Sequence, residues 1–328
     1  MNRPSLLLTT LALLANNANG QAPSQMNQPS PSLNLSAVQL KGGFLYTKPK
    51  PADFIRHIPS NIAEFGRIVI KKESALPLAL VAAGTLILIP NDQRLVDEAN
   101  ALGDRLKISH AGRQNDLIKT GISIGNKEIN FQGPSDRGTW LYFLGDGWLH
   151  LGFAGGFLIY GLGASDNRAL RTASQIPEGI LSSGIIVQLL KRTTGRETPN
   201  AGTKPGGRWR PFPNPKDYQK NVSRYDAFVS GHMASAMATV TVIAENYPEY
   251  GFIRPIGYSL MGLLGYQMLN NGVHWASDYP LPLWMGYSFG KIITRRGRSR
   301  ASSVSAPVEI APALLAKDAL GLRLKIQF

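Results

Sequence analysis

The segment S-G-H at Ser230–His232 is followed, after about forty mostly apolar residues, by H-W-A-S-D at His274–Asp278. These two short segments decide how the rest of the chain is interpreted. The chain has five histidines, and two of them lie here. A third segment, K-R-T-T-G-R-E-T-P at Lys191–Pro199, precedes them. Basic, small and histidine residues in this order favour a site that holds an anion and moves protons beside it.

The first segment has the character of a helix start. Ser230 stands where it caps a helix predicted over 231–247. The N-terminus of that helix offers free N–H groups and the positive end of the helix dipole, which suit a phosphate group. Gly231 lets the backbone approach the anion closely, and His232 in the first turn is directed to the same space.

The second segment pairs a histidine with a carboxylate. His274 and Asp278 are four residues apart, so on a helix they share a face. A carboxylate bonded to one imidazole nitrogen fixes the tautomer and leaves the other nitrogen free to attack. Pro280 and Pro282 disturb helical bonding just after Asp278, so the helix predicted over 275–293 starts late or is kinked.

Composition limits the partners. The 328 residues, 43% of them hydrophobic, suffice for a large core in one or two domains. The absence of cysteine excludes disulfides, thiolate metal sites and a cysteine nucleophile. The net charge of +14 favours phosphate esters, anionic lipid or nucleic acid. With no nucleic-acid-binding motif, we expect a phosphorylated small molecule or a phospholipid, with membrane-surface contact and no nucleic acid.

The loop over residues 191–224 concentrates this charge. It carries nine basic residues against two acidic ones, half of the excess charge of the whole chain. A solvated surface loop is one interpretation of this excess. Its position between two candidate phosphate motifs favours a role in anion binding instead.

The two ends of the chain differ from its middle. Residues 1–20 have the positive start, apolar run and small-residue cleavage site of a secretory signal, which predicts a secreted or periplasmic protein; a short buried helix is the alternative. Residues 21–50 are predicted as a disordered linker, 51–300 as the helical domain and 301–328 as a C-terminal tail. Within the tail, residues 321–328 alternate like one short strand. The basic stretch 291–300 lies near anionic lipid or is simply solvated.

The middle of the chain reads as a series of helices. Candidates lie at 75–90, 94–107, 140–164, 166–190, 231–247, 253–269 and 275–293. The run 75–90 is too short for a confident membrane span and is predicted as a buried helix. Short, small-residue-rich helices and a slightly negative mean hydropathy favour a soluble helical bundle, with a multi-pass membrane enzyme as the alternative.

Taken together, the three segments resemble the signature motifs of the type-2 phosphatidic acid phosphatase and vanadium haloperoxidase superfamily. The family pattern is K-x6-R-P, then P-S-G-H, then S-R-x5-H-x3-D, and its counterpart here covers residues 191–278. The resemblance implies an all-α fold, a helical bundle of the acid phosphatase/vanadium haloperoxidase type. It also implies that no metal or other cofactor is needed by the phosphatases, whereas the haloperoxidase branch holds vanadate in the same pocket.

The resemblance also implies residue roles. His232 would be the general acid, and His274 the nucleophile that forms a phosphohistidine, steadied by Asp278. The phosphate would be bound by Lys191, Ser230 and Gly231. The implied activity is the hydrolysis of phosphomonoesters, lipid phosphates among them.

The chain departs from the family pattern at both phosphate-clamping arginines. Thr198 occupies the first arginine position, while Gln267 and Met268 replace Ser-Arg, and Val229 replaces the proline before Ser230. Charged hydrogen bonds to a buried phosphate are each worth about 1.5–3 kcal/mol. The loss of two would weaken transition-state binding by orders of magnitude.

Arginines elsewhere in the basic loop offer replacements for the clamp. Arg196 lies two residues before the first motif position and is predicted to bind phosphate; Arg208, Arg210 and Arg224 are further candidates. Their local excess of charge motivates this hypothesis.

Two other classes of function remain open. One is a catalytically degenerate phosphatase fold that acts as an anion- or lipid-binding or structural protein. The other uses an inorganic centre: a vanadate-dependent haloperoxidase, or a metallohydrolase with His232, His274 and Asp278 as ligands.

Overall fold

The computed structural model of the chain describes residues 38–41, 43–110, 122–124, 127–129, 134, 136–300, 308–316 and 319–326. The predicted signal sequence, residues 1–20, lies outside these ranges. The chain divides into two compact units. One, the helical unit, is Ala37–Ser299, and the other contains Arg300–Phe328 together with Met1–Ser36.

The described part of the helical unit is dominated by α-helices, as the sequence predicts for an all-α fold. In chain order they are α1 (Asp53–Arg56), α2 (Ile58–Val69), α3 (Ala75–Leu88), α4 (Asp92–Leu106), α5 (Arg137–Phe143), α6 (Gly147–Gly163), α7 (Asn167–Thr194), α8 (Pro215–Lys220), α9 (Gly231–Asn246), α10 (Ile253–Asn270) and α11 (Pro280–Thr294).

Short strands accompany them. β1 (Val38–Lys41), β2 (Phe44–Thr47) and β5 (Arg298–Arg300) form one sheet in the order β1-β2-β5, and β3 (Ile122–Ile124) pairs with β4 (Lys127–Ile129). β1 and β2 fall within residues 21–50, where the sequence predicts a linker. The alternating segments V-Q-L-K and F-L-Y-T pair there as an antiparallel hairpin instead.

The core is built around α7, α9 and α11. A buried cluster joins these helices to α2, and its members are Phe65, Val187, Val229, Ala234, Met285, Phe289, Ile292 and Ile293. The rings of Phe65 and Phe289 stack with centroids 4.6 Å apart. Glycines bring α11 close to α9: a Cβ on Gly286 would lie 2.4 Å from the carbonyl oxygen of Ala234. The start of α9, which contributes to the site, is therefore packed closely against α11.

α7 has 28 residues, and both of its ends are fixed by local chemistry. The Asp166 carboxylate accepts hydrogen bonds from the N–H groups of Arg168 and Ala169, which caps the N-terminus. Gly195 ends the helix in a left-handed conformation with φ of 55°. A side chain at that position would collide with the carbonyl group of Arg210. α7 thus delivers Lys191 to one end of the bundle.

The predicted helix over 275–293 proves to be two elements. A 3₁₀ turn at Ala276–Asp278 is followed by α11, which starts at Pro280. Proline suits the first turn of a helix because its missing N–H would have no partner there. His274 therefore precedes the helix, and the prediction that it shares a helical face with Asp278 is wrong.

The prediction of a buried helix over 75–90 is also wrong. α3 has no buried residue, and side chains such as Leu76, Leu80, Leu86 and Ile87 are exposed. A 3₁₀ turn at Ile89–Asn91 joins α3 to α4, so residues Lys72–Leu106 form one continuous helical stretch. Within the described residues it is the single stretch long and apolar enough to cross a membrane by length and composition, and 6% of its apolar window is buried.

The unit that contains the C-terminus holds an antiparallel hairpin of β6 (Val308–Ala316) and β7 (Ala319–Ile326). The register pairs Val308 with Ile326 and Leu314 with Leu320. The strand predicted over 321–328 overlaps β7, whereas its partner β6 was missed. A proline at position 312 and the runs of alanine and leucine around it conceal the alternation typical of a strand.

Candidate active site

A cavity of about 770 Å³, here called the histidine pocket, lies where α7 ends and α9 begins. It is lined by Lys191, Gly231, His232 and His274, which come from the three sequence segments. Asp226, Tyr142 and Thr198 also line it. Of the predicted site residues, Arg196, Ser230 and Asp278 do not contribute to its wall.

The tautomer of His274 is set by the main chain. Its Nδ1 lies 2.7 Å from the carbonyl oxygen of Ala227, and the ring is 4% exposed. A carbonyl oxygen can only accept a hydrogen bond, so Nδ1 carries the proton. In the neutral ring this tautomer leaves the lone pair on Nε2, the form that a nucleophilic imidazole needs.

Asp278 acts on His274 more indirectly than the sequence predicts. Its Oδ2 is 3.7 Å from Nδ1 of His274, beyond hydrogen-bond distance. The same oxygen accepts a hydrogen bond of 2.7 Å from the N–H of Trp275, the next residue. Oδ1 accepts one of 2.6 Å from Arg196. Asp278 thus fixes the backbone that carries the histidine, and supplies negative charge nearby.

Arg196 is not a phosphate ligand in this structure, contrary to the prediction. Its guanidinium is 0% exposed and lies between two buried carboxylates, Asp278 at 2.6 Å and Asp92 at 2.5 Å. It also donates to the hydroxyl of Ser277 and to the carbonyl oxygen of Gly206. A guanidinium pairs with carboxylates through its forked N–H groups, and here both arms are already engaged.

Asp92, which the sequence did not reveal, completes this buried network. It is 0% exposed and accepts hydrogen bonds from the N–H of Ser277 at 3.0 Å and from its hydroxyl at 2.6 Å. The first residue of α4 is thereby tied to the turn that follows His274. We call Asp92, Arg196, Ser277 and Asp278 the arginine network.

Glu197, the residue after Arg196, is another buried carboxylate near the arginine network. It is 0% exposed and accepts hydrogen bonds from Thr203 and from the N–H of Arg208, and pairs with Arg210 at 2.5 Å. Burial raises the pKa of this carboxyl, but the hydrogen bonds from Thr203, Arg208 and Arg210 outweigh it and lower the pKa to about 2.

His232 is partly buried at the pocket wall, and its ring lies 6.3 Å from that of His274, centroid to centroid. The ring of Tyr142 packs against it at 4.7 Å. Burial, together with the charges of His274 and Lys191, lowers the pKa of His232 to about 3. A dianion beside the ring would raise this pKa again, because it stabilises the imidazolium.

The start of α9 is a capped helix N-terminus, as the sequence predicts. The hydroxyl of Ser230 accepts from the N–H of Met233 at 3.4 Å, and the carbonyl of Ser230 accepts from Ala234. The N–H groups of Gly231 and His232 precede these bonds and have no partner within the helix. Ser230 itself is 0% exposed and bonds toward the sulfur of Met268, so it caps the helix and does not face the pocket.

Lys191 faces the pocket but has a partner already. Its Nζ lies 2.6 Å from Oδ2 of Asp226, and Oδ1 of the same carboxylate accepts from the hydroxyl of Tyr218. Asp226 is an additional candidate that the sequence analysis missed. The available signal was an acidic residue four positions before Ser230, at the end of a strongly basic loop.

The two residues that replace the family's arginines lie in different environments. Thr198 lines the pocket with a short neutral side chain, whereas Met268 is 0% exposed in an apolar cluster with Met233, Met261 and Leu264. The other candidate arginines, Arg208, Arg210 and Arg224, do not line the pocket either. Among the described residues, Lys191 is the sole Lys or Arg in its wall.

A metal centre held by His232, His274 and Asp278 does not fit these side chains. In the part of the chain that the structure describes, no three His, Asp or Glu residues are grouped to hold a metal ion. Asp278 is committed to Arg196 and Trp275.

Comparison with known proteins agrees with the motif-based resemblance. The family profile of the PAP2 superfamily matches residues 174–300, which include most of α7 and all of α8, α9, α10 and α11. No curated protein matches the chain. A solved structure described as the first transmembrane PAP2-type phosphatidylglycerolphosphate phosphatase from Bacillus subtilis is similar at 14% identity. That match covers 75% of this chain and 94% of the other, with a TM-score of 0.36.

The profile match spans the ends of α7 and α9, both histidines of the pocket and the arginine network except Asp92. Residues 174–300, which carry all three sequence segments, are thus similar to the PAP2 superfamily.

Proposed function

We propose that the chain hydrolyses phosphomonoesters through a phosphohistidine formed on His274, with lipid phosphates as the preferred class. The observation that carries this proposal is the bond from Nδ1 of His274 to the carbonyl oxygen of Ala227, which leaves Nε2 unprotonated beside the pocket. A binding protein has no need of a histidine held in the nucleophilic tautomer.

In the proposed reaction, the phosphate group lies between Lys191 and the start of α9. The Nε2 lone pair of His274 attacks phosphorus, the P–O ester bond breaks, and the leaving oxygen takes a proton from His232. Water then attacks the phosphohistidine, with its proton taken by His232, and inorganic phosphate leaves. His232 gains the proton for the first step when the phosphate dianion enters and raises the pKa of the ring.

The shape of the histidine pocket supports a substrate with an apolar part. One wall follows α7 through Leu181, Ile185 and Gln188 to Lys191, at helical spacing. Leu181 is 42% and Ile185 48% exposed. Ten residues of helix extend about 15 Å, so an acyl chain would lie along this wall while its phosphate reaches Lys191.

Exposed apolar side chains on α3 and α6, including Leu80 and Ile159, suit contact with a membrane surface from which such a substrate would come. A secreted or periplasmic location, inferred from residues 1–20, remains part of the proposal.

The first experiment is phosphate release from p-nitrophenyl phosphate and from a short-chain phosphatidic acid, with and without chelator. We expect turnover of both, and a loss of about 1,000-fold or more in His274→Ala without loss of folded protein. Turnover that survives in His274→Ala would contradict the mechanism. Activity lost to chelator would indicate a metal centre.

The preference for lipid is tested by Ile185→Ser, with Leu189→Ser as the matched control. Leu189 is exposed on the same helix but does not line the pocket. We expect the ratio of phosphatidic acid to p-nitrophenyl phosphate turnover to fall in Ile185→Ser alone. An unchanged ratio would argue for a water-soluble substrate.

A second candidate is a degenerate member that binds phosphate without turnover. It is favoured by the neutral residues at both arginine positions and by the pairing of Lys191 with Asp226. Saturable phosphate binding with no hydrolysis of any phosphomonoester would establish it.

A further inference from the structure

A second cavity, here called the basic cavity, lies far from the histidine pocket. Its volume is about 520 Å³, and it is lined by Thr47, Lys48, Lys50, Asp53, Arg56, His57, Arg171, Arg296 and Gly297. Arg171 lies on α7 twenty residues before Lys191, which places the two cavities about 30 Å apart along that helix. The two cavities have no lining residue in common.

The wall of the basic cavity is strongly positive. Five lysine and arginine residues line it against one carboxylate, Asp53. Glu178 lies nearby and pairs with Arg296 at 2.6 Å. Even when both carboxylates are counted, an excess of three positive charges is left. Such an excess in a small concave surface attracts anions.

Two of the basic side chains are held in place by the fold. The guanidinium of Arg171, 12% exposed, donates to the carbonyl oxygen of Thr47 at 2.8 Å, to its hydroxyl at 2.7 Å and to Asp53 at 3.4 Å. Arg296 donates to Glu178 and to the side-chain oxygen of Asn61. Because these partners already engage their N–H groups, the two guanidinium groups supply fixed positive charge to the wall of the cavity.

Gly297 lets the main chain pass close to the guanidinium group of Arg171. Its φ is +70°, and a Cβ there would lie 2.2 Å from Cζ of Arg171. Its carbonyl oxygen accepts from the N–H of Thr47 at 3.0 Å. The basic stretch 291–300, which the sequence analysis left between a lipid contact and a solvated segment, reaches the cavity through Arg296 and Gly297.

The other three cations have no carboxylate partner among the described residues. Lys48, Lys50 and Arg56 are exposed at the cavity, and in the part of the chain that the structure describes none of them forms an ion pair. Asp53 is engaged by Arg171 and by the N–H of Lys50. These three side chains are therefore available to a ligand.

The chemistry indicates the class of ligand. Guanidinium forks and ammonium groups together suit phosphate oxygens, and the excess of charge suits a group with more than one negative charge. The cavity holds a headgroup-sized ligand, and in the described part of the chain no Phe, Tyr or Trp side chain lines it to stack a base. We propose that the basic cavity is a second anion site, which binds a phosphate group carried by a phospholipid headgroup or by a soluble phosphate compound.

The test uses the full chain and the double variant Lys48→Glu/Lys50→Glu. Both side chains are exposed, so the fold is retained. The matched control is Lys216→Glu/Lys220→Glu, which makes the same change in net charge at exposed positions outside both cavities. Thermal unfolding of each variant verifies that the chain is folded.

One arm titrates inorganic phosphate by calorimetry in the Lys191→Met background, which removes the lysine of the histidine pocket. The other arm measures flotation with phosphatidylcholine vesicles that contain or lack phosphatidylglycerol. We expect Lys48→Glu/Lys50→Glu to weaken binding about tenfold or more in at least one arm, and the control to leave it nearly unchanged.

Weakening in the calorimetric arm alone identifies a soluble phosphate compound, and weakening with anionic vesicles identifies a lipid headgroup. If the double variant and its control behave alike in both arms, the proposal is overturned. Neither arm measures hydrolysis, so the result is independent of the proposed catalytic function.

Discussion

Lys191 and Arg196 lie five residues apart in one motif, yet they serve opposite purposes. Lys191 faces the histidine pocket and pairs with a carboxylate that is 26% exposed. Arg196 lies beneath the pocket, 0% exposed, and pairs with two carboxylates that are 0% exposed as well. The turn at Gly195 ends α7 between them and sends the chain in a new direction.

This difference separates affinity for the ligand from the stability of the protein. At the pocket wall, Lys191 exchanges its partner for a ligand at small cost, because it keeps a negative partner and the released Asp226 is partly solvated. A buried arginine between two carboxylates cannot leave without stranding them in a low-dielectric interior. We therefore expect substitutions in the arginine network to reduce stability, and those around Lys191 to change ligand binding.

The largest effect is expected from Arg196→Ala. The substitution leaves Asp92 and Asp278 buried without a counter-charge, which typically costs 3–5 kcal/mol, so about that loss is expected in urea-induced unfolding. Arg224→Ala, an exposed arginine of the same loop, is the control and should stay within about 0.5 kcal/mol. A loss below about 1 kcal/mol for Arg196→Ala would show that the network does not stabilise the fold.

Acid should lower the free energy of unfolding by protonating Glu197, the buried carboxylate next to Arg196. The pKa of this carboxyl is about 2 in the folded chain and 4.5 as the reference value, so its stabilisation is complete above pH 4.5 and is lost as pH falls toward 2. The expected loss is up to about 3 kcal/mol. Unfolding free energies measured over this range should fall less steeply in Glu197→Gln, and parallel slopes would contradict the assignment.

Lys191→Met should show the reverse pattern from Arg196→Ala. The dissociation constant for inorganic phosphate at the histidine pocket should rise about 10- to 100-fold, as for the loss of one charged hydrogen bond. The free energy of unfolding should change by less than about 1 kcal/mol, because Asp226 is partly solvated. Lys204→Met, at an exposed lysine of the loop, serves as the control. Calorimetry measures the dissociation constant, and urea unfolding of the same samples measures the free energy of unfolding.

The smallest effect is expected from Asp226→Asn. Removing the carboxylate frees Lys191 and relieves repulsion of an incoming phosphate, so binding should tighten roughly three- to tenfold. The wild-type chain is the reference for this measurement. Weaker binding in Asp226→Asn would mean that the carboxylate orients Lys191 for the ligand.

The sequence predicts much of the fold because its helix signals are local. The cap at Ser230, the spacing of apolar residues over 253–269 and the prolines after Asp278 all act within a few positions. It fails for α3, because an apolar run looks the same whether its side chains meet a core or remain exposed. Periodicity carries no information when every face is apolar.

The site was less accessible to sequence reasoning for a physical reason. Arg196 was assigned to phosphate because the loop is basic, but its partner Asp92 is 104 residues away in sequence. Pairing over such a distance depends on how α4 packs against the turn after His274. The Lys191–Asp226 pair spans 35 residues and was missed likewise.

The bond between His274 and Ala227 has a consequence for how this protein can vary. The acceptor is a carbonyl oxygen, which every amino acid carries, so no replacement of the side chain at position 227 removes it. A scan that truncates each residue in turn would pass over one of the contacts on which the proposed chemistry depends. Only a change in the path of the main chain, such as an insertion between Asp226 and Ser230, would release the imidazole to take the other tautomer.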